Sequence, residues 1–323
     1  MSADSQIVAT VRAILADPQV TDVRAALVDL GLLDLLDVEP RQSIRVYFEE
    51  QGRTARVTGA LDLVFLGETA TGLPAPVLYE RPFEIHPFGG ELSPGKVVHA
   101  NGVTLEAPPN CSTVLRPFVD AGRLTWQKLR LSSDPTPGDG FTRGLAFNRV
   151  GCAAEVTETV HTASPASAAR ALARARLAIA SELLGAAIAL RDLAVDHVSN
   201  RHQFGAPIGS RQVVRHRLAD VEVAIGAARA VLDAIPFDNP LAAIAAKALA
   251  GRAAQLACRW ALQFCGAMGL TVEHALPAYV RKVQLLDGLF GSAESLTTEL
   301  GRALLETDLQ ELVTLSAAPG TDR

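Results

Sequence analysis

Cysteine, excess positive charge and long apolar runs are all scarce in this chain of 323 residues, and each scarcity narrows what the chain can be. The four cysteines, Cys111, Cys152, Cys258 and Cys265, form no Cys-x-x-Cys pair. A chain of this length buries enough surface without staples, so buried free thiols are expected rather than a disulfide framework. Cys258 and Cys265 fall on one face of a predicted helix, but two thiolates make a poor zinc site and the histidines are scattered. No metal site is expected. The net charge of -5 gives no global pull toward nucleic acid. No apolar run approaches the ~20 residues of a membrane span. The opening Met1-Ser2-Ala3-Asp4-Ser5 has neither a basic segment nor an apolar signal core, so a cytoplasmic location is the default expectation. What is abundant is hydrophobic residue, at 49%, which excludes a disordered chain.

The pattern divides the chain into three stretches: a short helical region (1–60), a reduced β-rich middle domain (61–160) and a C-terminal helical bundle (161–323). In the first, Val8, Val11, Ile14 and Leu15 suit one helical face and Val23, Ala26, Leu27 and Leu30 a second, with Gly31 as a stop. Ser43-Ile44-Arg45-Val46-Tyr47-Phe48 alternates like a strand, and a short helix running through Glu49 and Glu50 is the alternative. In the middle stretch, Val97-Val98-His99, Gly102-Val103-Thr104-Leu105 and Leu124 to Leu129 read as short strands, and Asp134 to Gly140 as a loop. From Ser164-Pro165, an N-cap followed by proline in the first turn, helical periodicity runs through Asn200, leaving ~45 Å of helix beyond the first turns at 1.5 Å per residue. Further helices are expected at about 211–235, from Asp238-Asn239-Pro240 to about Met268, and at about 276–289 and 292–315. Short loops between them imply an antiparallel four-helix bundle.

Between the first two bundle helices lies Arg201-His202-Gln203-Phe204-Gly205-Ala206-Pro207-Ile208-Gly209. The forked donors of Arg201 suit a pyrophosphate, Gln203 adds an amide, and Phe204 can lie under a flat ring or anchor the loop. Equally, Arg201 could do no more than satisfy the carbonyls at the end of its helix.

This segment, with Gln212 and His216-Arg217-Leu218-Ala219-Asp220, resembles the R-x-Q-F-G-x-x-I, Q, H-x-L-A-D signature of acyl-CoA dehydrogenases. A second block, Gln263-Phe264-Cys265-Gly266-Ala267-Met268-Gly269-Leu270-Thr271-Val272-Glu273-His274, resembles that family's Q-x-x-G-G-x-G-Y/F-T-x-E-H/Y, and Arg281 matches the arginine after it. The resemblance is specific over 165–315, weak over 20–60 and faint between. It implies a mainly α fold with a small β domain: N-terminal helices, a reduced middle β domain and the bundle. It also implies FAD as cofactor. Arg201, Gln203 and Phe204 would reach across a subunit interface to the pyrophosphate and ribose, and Ile208 and Gln212 are counted with them as cofactor-binding. Gln263, Gly266 and Ala267 would line the adenosine, with Ala267 replacing a usual glycine.

The same resemblance exposes what is missing. Family members abstract the α proton of a thioester with a glutamate placed before a G-T/S pair or on the first bundle helix. Those positions fall at Phe290 and Ala175, neither of which can take a proton. The nearby carboxylates Asp287 and Glu182 are weak substitutes, expected as solvated or capping groups, and Glu294 puts a negative charge where the family has a polar flavin-side contact. Gly95-Lys96-Val97-Val98 and Trp126-Gln127-Lys128 only faintly echo the family's flavin-contacting strands. The expectation is a non-catalytic subunit of an FAD-dependent heteromeric acyl-CoA dehydrogenase, similar to the short subunit of actinobacterial steroid-catabolic α2β2 enzymes. A catalytic partner chain would bind most of the acyl-CoA. A self-sufficient enzyme with a displaced base and a flavin-free helical scaffold are the alternatives.

Overall fold

The structure, a computed structural model, describes residues 3–17, 20, 23–70, 75–80, 93–105, 111–120, 123–138, 147–271 and 273–306. Met1, Ser2, Gly140, Val272 and the expected helical stretch 307–315 lie outside the described residues.

Among the described residues five helices come first: α1 (Ala3–Ala16), α2 (Val23–Asp29), α3 (Leu32–Val38), α4 (Pro40–Gly52) and α5 (Ala60–Ala70). Gly31 follows α2 with φ 87°, the left-handed conformation expected of a stop glycine. The strand reading of Ser43–Phe48 is corrected here, because the segment lies within α4. Ile44, Tyr47, Phe48 and Gln51 are its buried residues at i, i+3, i+4 and i+7, so the 3.6-residue period prevails over the local alternation. Helix α5 occupies the start of the stretch expected to be β-rich and packs on the sheet and the bundle.

The middle region is one antiparallel sheet. Its strands are β1 (Tyr79–Glu80), β2 (Val97–Thr104), β3 (Thr113–Asp120), β4 (Arg123–Leu131), β5 (Thr136–Pro137) and β6 (Asn148–Ala163), in the order β1-β2-β6-β4-β3, with β5 also on β6. Pro117 in β3 is tolerated because that strand is an edge.

The bundle follows: α6 (Pro165–Asn200), a hairpin of β7 (His202–Gln203) and β8 (Ala206–Pro207), α7 (Gln212–Ala234), α8 (Pro240–Cys265), α9 (Leu276–Gly288) and α10 (Ala293–Glu306). Ser164 caps α6 by accepting the Ser167 N–H at 3.2 Å, and Asn239 caps α8 by accepting the Ala242 N–H at 3.0 Å. Each is followed by a proline whose missing N–H costs nothing in a first turn. Helix α6 is the central element, and its Leu177–Ile188 stretch is buried all round. It meets α4 where Gly52 faces Gly185. A Cβ on Gly185 would sit 2.9 Å from the Gly52 Cα and overlap the Glu49 carbonyl oxygen, so this crossing requires both glycines.

The stretch Pro240–Leu270, α8 and the 3-10 turn after it, is long and apolar enough on mean hydropathy to cross a membrane, although Lys247, Arg252 and Arg259 interrupt it. Its alanines raise the average, and 61% of its most apolar window is buried in the protein. It packs against α6, α7, α9 and α10 as a core helix.

Candidate nucleotide-binding end of the bundle

Both sequence blocks lie at one end of the bundle. The last turn of α6 carries His197, which meets the backbone of Phe264 at the end of α8. Burial pushes that imidazole below its ordinary pKa. His274 and Arg201 lower it further, and Asp196 opposes them. Arg217 of α7 lies 4.9 Å over the Trp260 ring of α8, and Trp260 stacks on Phe264, so the three helix ends are tied together.

The hairpin after α6 is rigidly built. His202 pairs with Pro207 and Gln203 with Ala206, leaving Phe204 and Gly205 as a two-residue loop with φ 53° and 77°. Two positive φ values in such a loop give the hairpin a turn whose twist matches its strands. Glycine takes this conformation freely; phenylalanine does so at a cost. The Ile208 N–H donates to the Arg201 carbonyl at 2.8 Å and closes the segment.

Arg201 ends α6 through its backbone N–H, which donates to the His197 carbonyl, while its exposed guanidinium makes no hydrogen bond or ion pair among the described residues. It does not satisfy the helix-end carbonyls. Phe204 is 93% exposed, so it does not anchor the loop in the core. Gln203, Gln212 and Gln263 are exposed and their amides are likewise unused by the described fold. Ile208 is half-buried. Gly266 turns the chain off α8 with φ 55°, and nothing lies within 4 Å of where a Cβ would project. Ala267 beside it is exposed. Spare donors, a cation and an open backbone approach at one end fit the pyrophosphate and adenosine of a dinucleotide. None of these residues lines any of the described clefts.

The positions expected for a base lie elsewhere. Ala175 is 26 residues before Arg201 on unbroken α6, roughly 39 Å along the axis at 1.5 Å per residue. Phe290 meets the same turn of α6, where the Arg176 Nε donates to the Phe290 carbonyl at 3.2 Å. The Phe290 ring is buried in an aromatic cluster, 4.8 Å from Phe65 and 5.6 Å from Tyr79, and Phe65 in turn is 5.1 Å from Trp126. Trp126, one of the faint echoes of a flavin-side strand, is thus fully enclosed. Gly95 and Val97 are exposed.

Neither nearby carboxylate is solvated. Glu182 is 1% exposed and pairs with Lys282 of α9 at 2.8 Å, which corrects the expectation of a solvated or capping group. Asp287 is buried as the capping group of α10: its carboxylate accepts the Ala293 N–H at 3.0 Å and the Gln255 amide at 2.8 Å. Lys247, also buried, donates to the Asp287 carbonyl at 2.9 Å and to that of Gly291. Lys247 and Lys282 were not singled out in the sequence, although Lys247 is conspicuous as the one charge in Ala242–Ala250. Glu294 and Glu299 face an open cleft of about 810 Å³ beside Phe290 together with Arg176 and Arg302, so its charges balance and no cationic excess remains for phosphates.

Among the described residues no group of three or more His, Cys, Asp or Glu is placed to hold a metal, and all four cysteines are free.

The bundle matches a known family model: residues 166–305 fit the acyl-CoA dehydrogenase C-terminal domain. Over this bundle the chain resembles the acyl-CoA dehydrogenases. The curated relatives include acyl-CoA dehydrogenase IpdE2 of Mycobacterium tuberculosis, 38% identical over 109 residues, 33% of this chain and 34% of that one. The chain thus spans about a third of the length of the curated relatives it matches. In fold the likeness extends along the whole chain. A putative acyl-CoA dehydrogenase from Mycobacterium smegmatis superposes with TM-score 0.70 at 18% identity, covering 95% of this chain and 99% of that one. A chain of the ChsE4-ChsE5 complex from Mycobacterium tuberculosis does so with TM-score 0.65 at 17% identity, covering 95% and 99%. The architecture is therefore that of an acyl-CoA dehydrogenase: N-terminal helices, a small β region and a C-terminal bundle.

Proposed function

We propose that this chain is the non-catalytic subunit of a heteromeric FAD-dependent acyl-CoA dehydrogenase, and that it holds the ADP half of an FAD whose flavin lies in a catalytic partner chain. One contrast carries the reading. The nucleotide end offers an unpaired guanidinium, spare amides and a protruding phenylalanine. The two base positions are an alanine and a phenylalanine sealed in apolar core. The roughly 39 Å of helix between these places prevents one chain from serving both ends of a single site. The nucleotide residues are exposed, Ile208 only in part, which leaves them open to a second surface closing over the cofactor.

Arg201 binds the pyrophosphate, Gln203 and Gln212 orient it, Phe204 and Ile208 shield it from water, and Gln263, Gly266 and Ala267 receive the adenosine. When bound, FAD supplies the hydride acceptor for α,β-dehydrogenation. The proton acceptor belongs to the partner, in an α2β2 assembly. A heteromeric neighbour in fold, ChsE4-ChsE5, and another described as a steroid acyl-CoA dehydrogenase support a bulky CoA ester, such as a steroid side chain, as the substrate class.

A self-sufficient enzyme using Glu182 or Asp287 fits less well, since one carboxylate is committed to Lys282 and the other to Ala293 and Gln255. The test is the flavin spectrum of this chain purified alone and co-purified with an acyl-CoA dehydrogenase chain from the adjacent gene. Flavin in the pair, lost with Arg201→Ala, is expected. A colourless pair supports a flavin-free scaffold instead.

A further inference from the structure

The nucleotide end contains a residue that the family signatures do not assign. Arg211, immediately before α7, has its guanidinium carbon 5.9 Å from the centre of the Phe204 ring. Its side chain makes no hydrogen bond or ion pair among the described residues, although Arg215 beside it reaches the Gly209 carbonyl at 3.1 Å. Phe204 stands in a left-handed conformation that disfavours its side chain, at the tip of a two-residue loop, and is 93% exposed. A ring in that position has two soft side-chain torsions and open solvent around it. The guanidinium over the ring face, 5.9 Å from its centre, favours one orientation of the ring before any ligand arrives.

We infer that Arg211 is a positioning residue for the cofactor site: it braces the Phe204 ring so that ring and Arg201 guanidinium form a preset clamp for the ADP portion of FAD. The inference rests on the proposed function above. Its chemistry is specific. A brace acts through Phe204 and has no effect once the ring is gone. A second phosphate-binding cation would act independently of the ring.

A double-mutant cycle separates these cases. Apo complex of this chain with its catalytic partner is titrated with FAD, following quenching of flavin fluorescence, for the wild type, Arg211→Ala, Phe204→Ala and the double variant. Arg211→Ala is expected to weaken FAD binding about threefold to fivefold, the worth of one exposed cation–π contact. Phe204→Ala weakens it further, and the double variant binds as Phe204→Ala does. Both substituted positions are exposed, and matching circular dichroism and melting curves of the three variants establish that the folds are intact. Multiplicative effects in the double variant, or no effect of Arg211→Ala, overturn the inference. If Arg201→Ala abolishes binding in the same assay, the proposed function survives that failure. A wild-type complex that takes up no FAD overturns the proposed function and this inference with it.

Discussion

Replacing Glu182 with glutamine tests directly whether that carboxylate is a structural counter-ion or a displaced base. The Lys282 ammonium is fully buried and donates to the carbonyls of Gln51 at 2.6 Å, Thr54 at 3.1 Å and Arg56 at 2.7 Å, with Glu182 as its ion pair at 2.8 Å. One lysine therefore ties α9 to the chain leaving α4, and Glu182 on α6 balances its charge. Burial pushes the Lys282 pKa down, and Glu182 opposes that shift. In Glu182→Gln the ammonium keeps its carbonyls but loses its counter-charge, so the loss should fall near the low end for breaking a buried pair, about 3 kcal/mol. Lys282→Met strips three carbonyls of their donor and strands the carboxylate, so it should cost more, about 5 kcal/mol. The double variant should recover part of the loss, because no charge is then buried alone. Urea unfolding followed by circular dichroism reads all three. Turnover per folded complex should be unchanged in Glu182→Gln. A variant of full stability without turnover would refute the structural role and make Glu182 the base.

Two further outcomes follow from the core. Gly185→Ala should destabilise the protein by about 1–3 kcal/mol despite alanine's better helix propensity, because its Cβ overlaps α4; thermal melting checks this, and a neutral result would show that the crossing can open. Burial lowers the Lys247 pKa from 10.5 to about 7, opposed by Asp287 and aided by Arg176. The unfolded chain therefore binds more protons between about pH 7 and 10.5, and stability should rise with pH there by up to about 1.4 kcal/mol per unit. Lys247→Met should remove that rise in urea midpoints measured across the window, and a slope identical to wild type contradicts the assignment.

Helix limits were legible wherever a local device sets them. Ser164-Pro165 and Asn239-Pro240 start their helices as read, because an accepting side chain and a donor-free first residue act within one turn. Ser43–Phe48 was ambiguous because six residues fit both periods, and packing on the bundle decides between them. The cofactor block was readable as a pattern, but its exposure was not, since that depends on which elements end together. The fate of Glu182 was invisible for the same reason: Lys282 lies a hundred residues away, and only the α6–α9 packing joins them. Arg211 sat next to a recognised position, Gln212, yet its role depends on the hairpin folding back over it.

The division of labour between two chains is tested most directly by native mass spectrometry of the co-purified pair, with thioester oxidation assayed in parallel on this chain alone. One FAD per heterodimer, retained in the pair and absent from an inactive single chain, is the predicted result. Oxidation of an acyl-CoA by the single chain would contradict it.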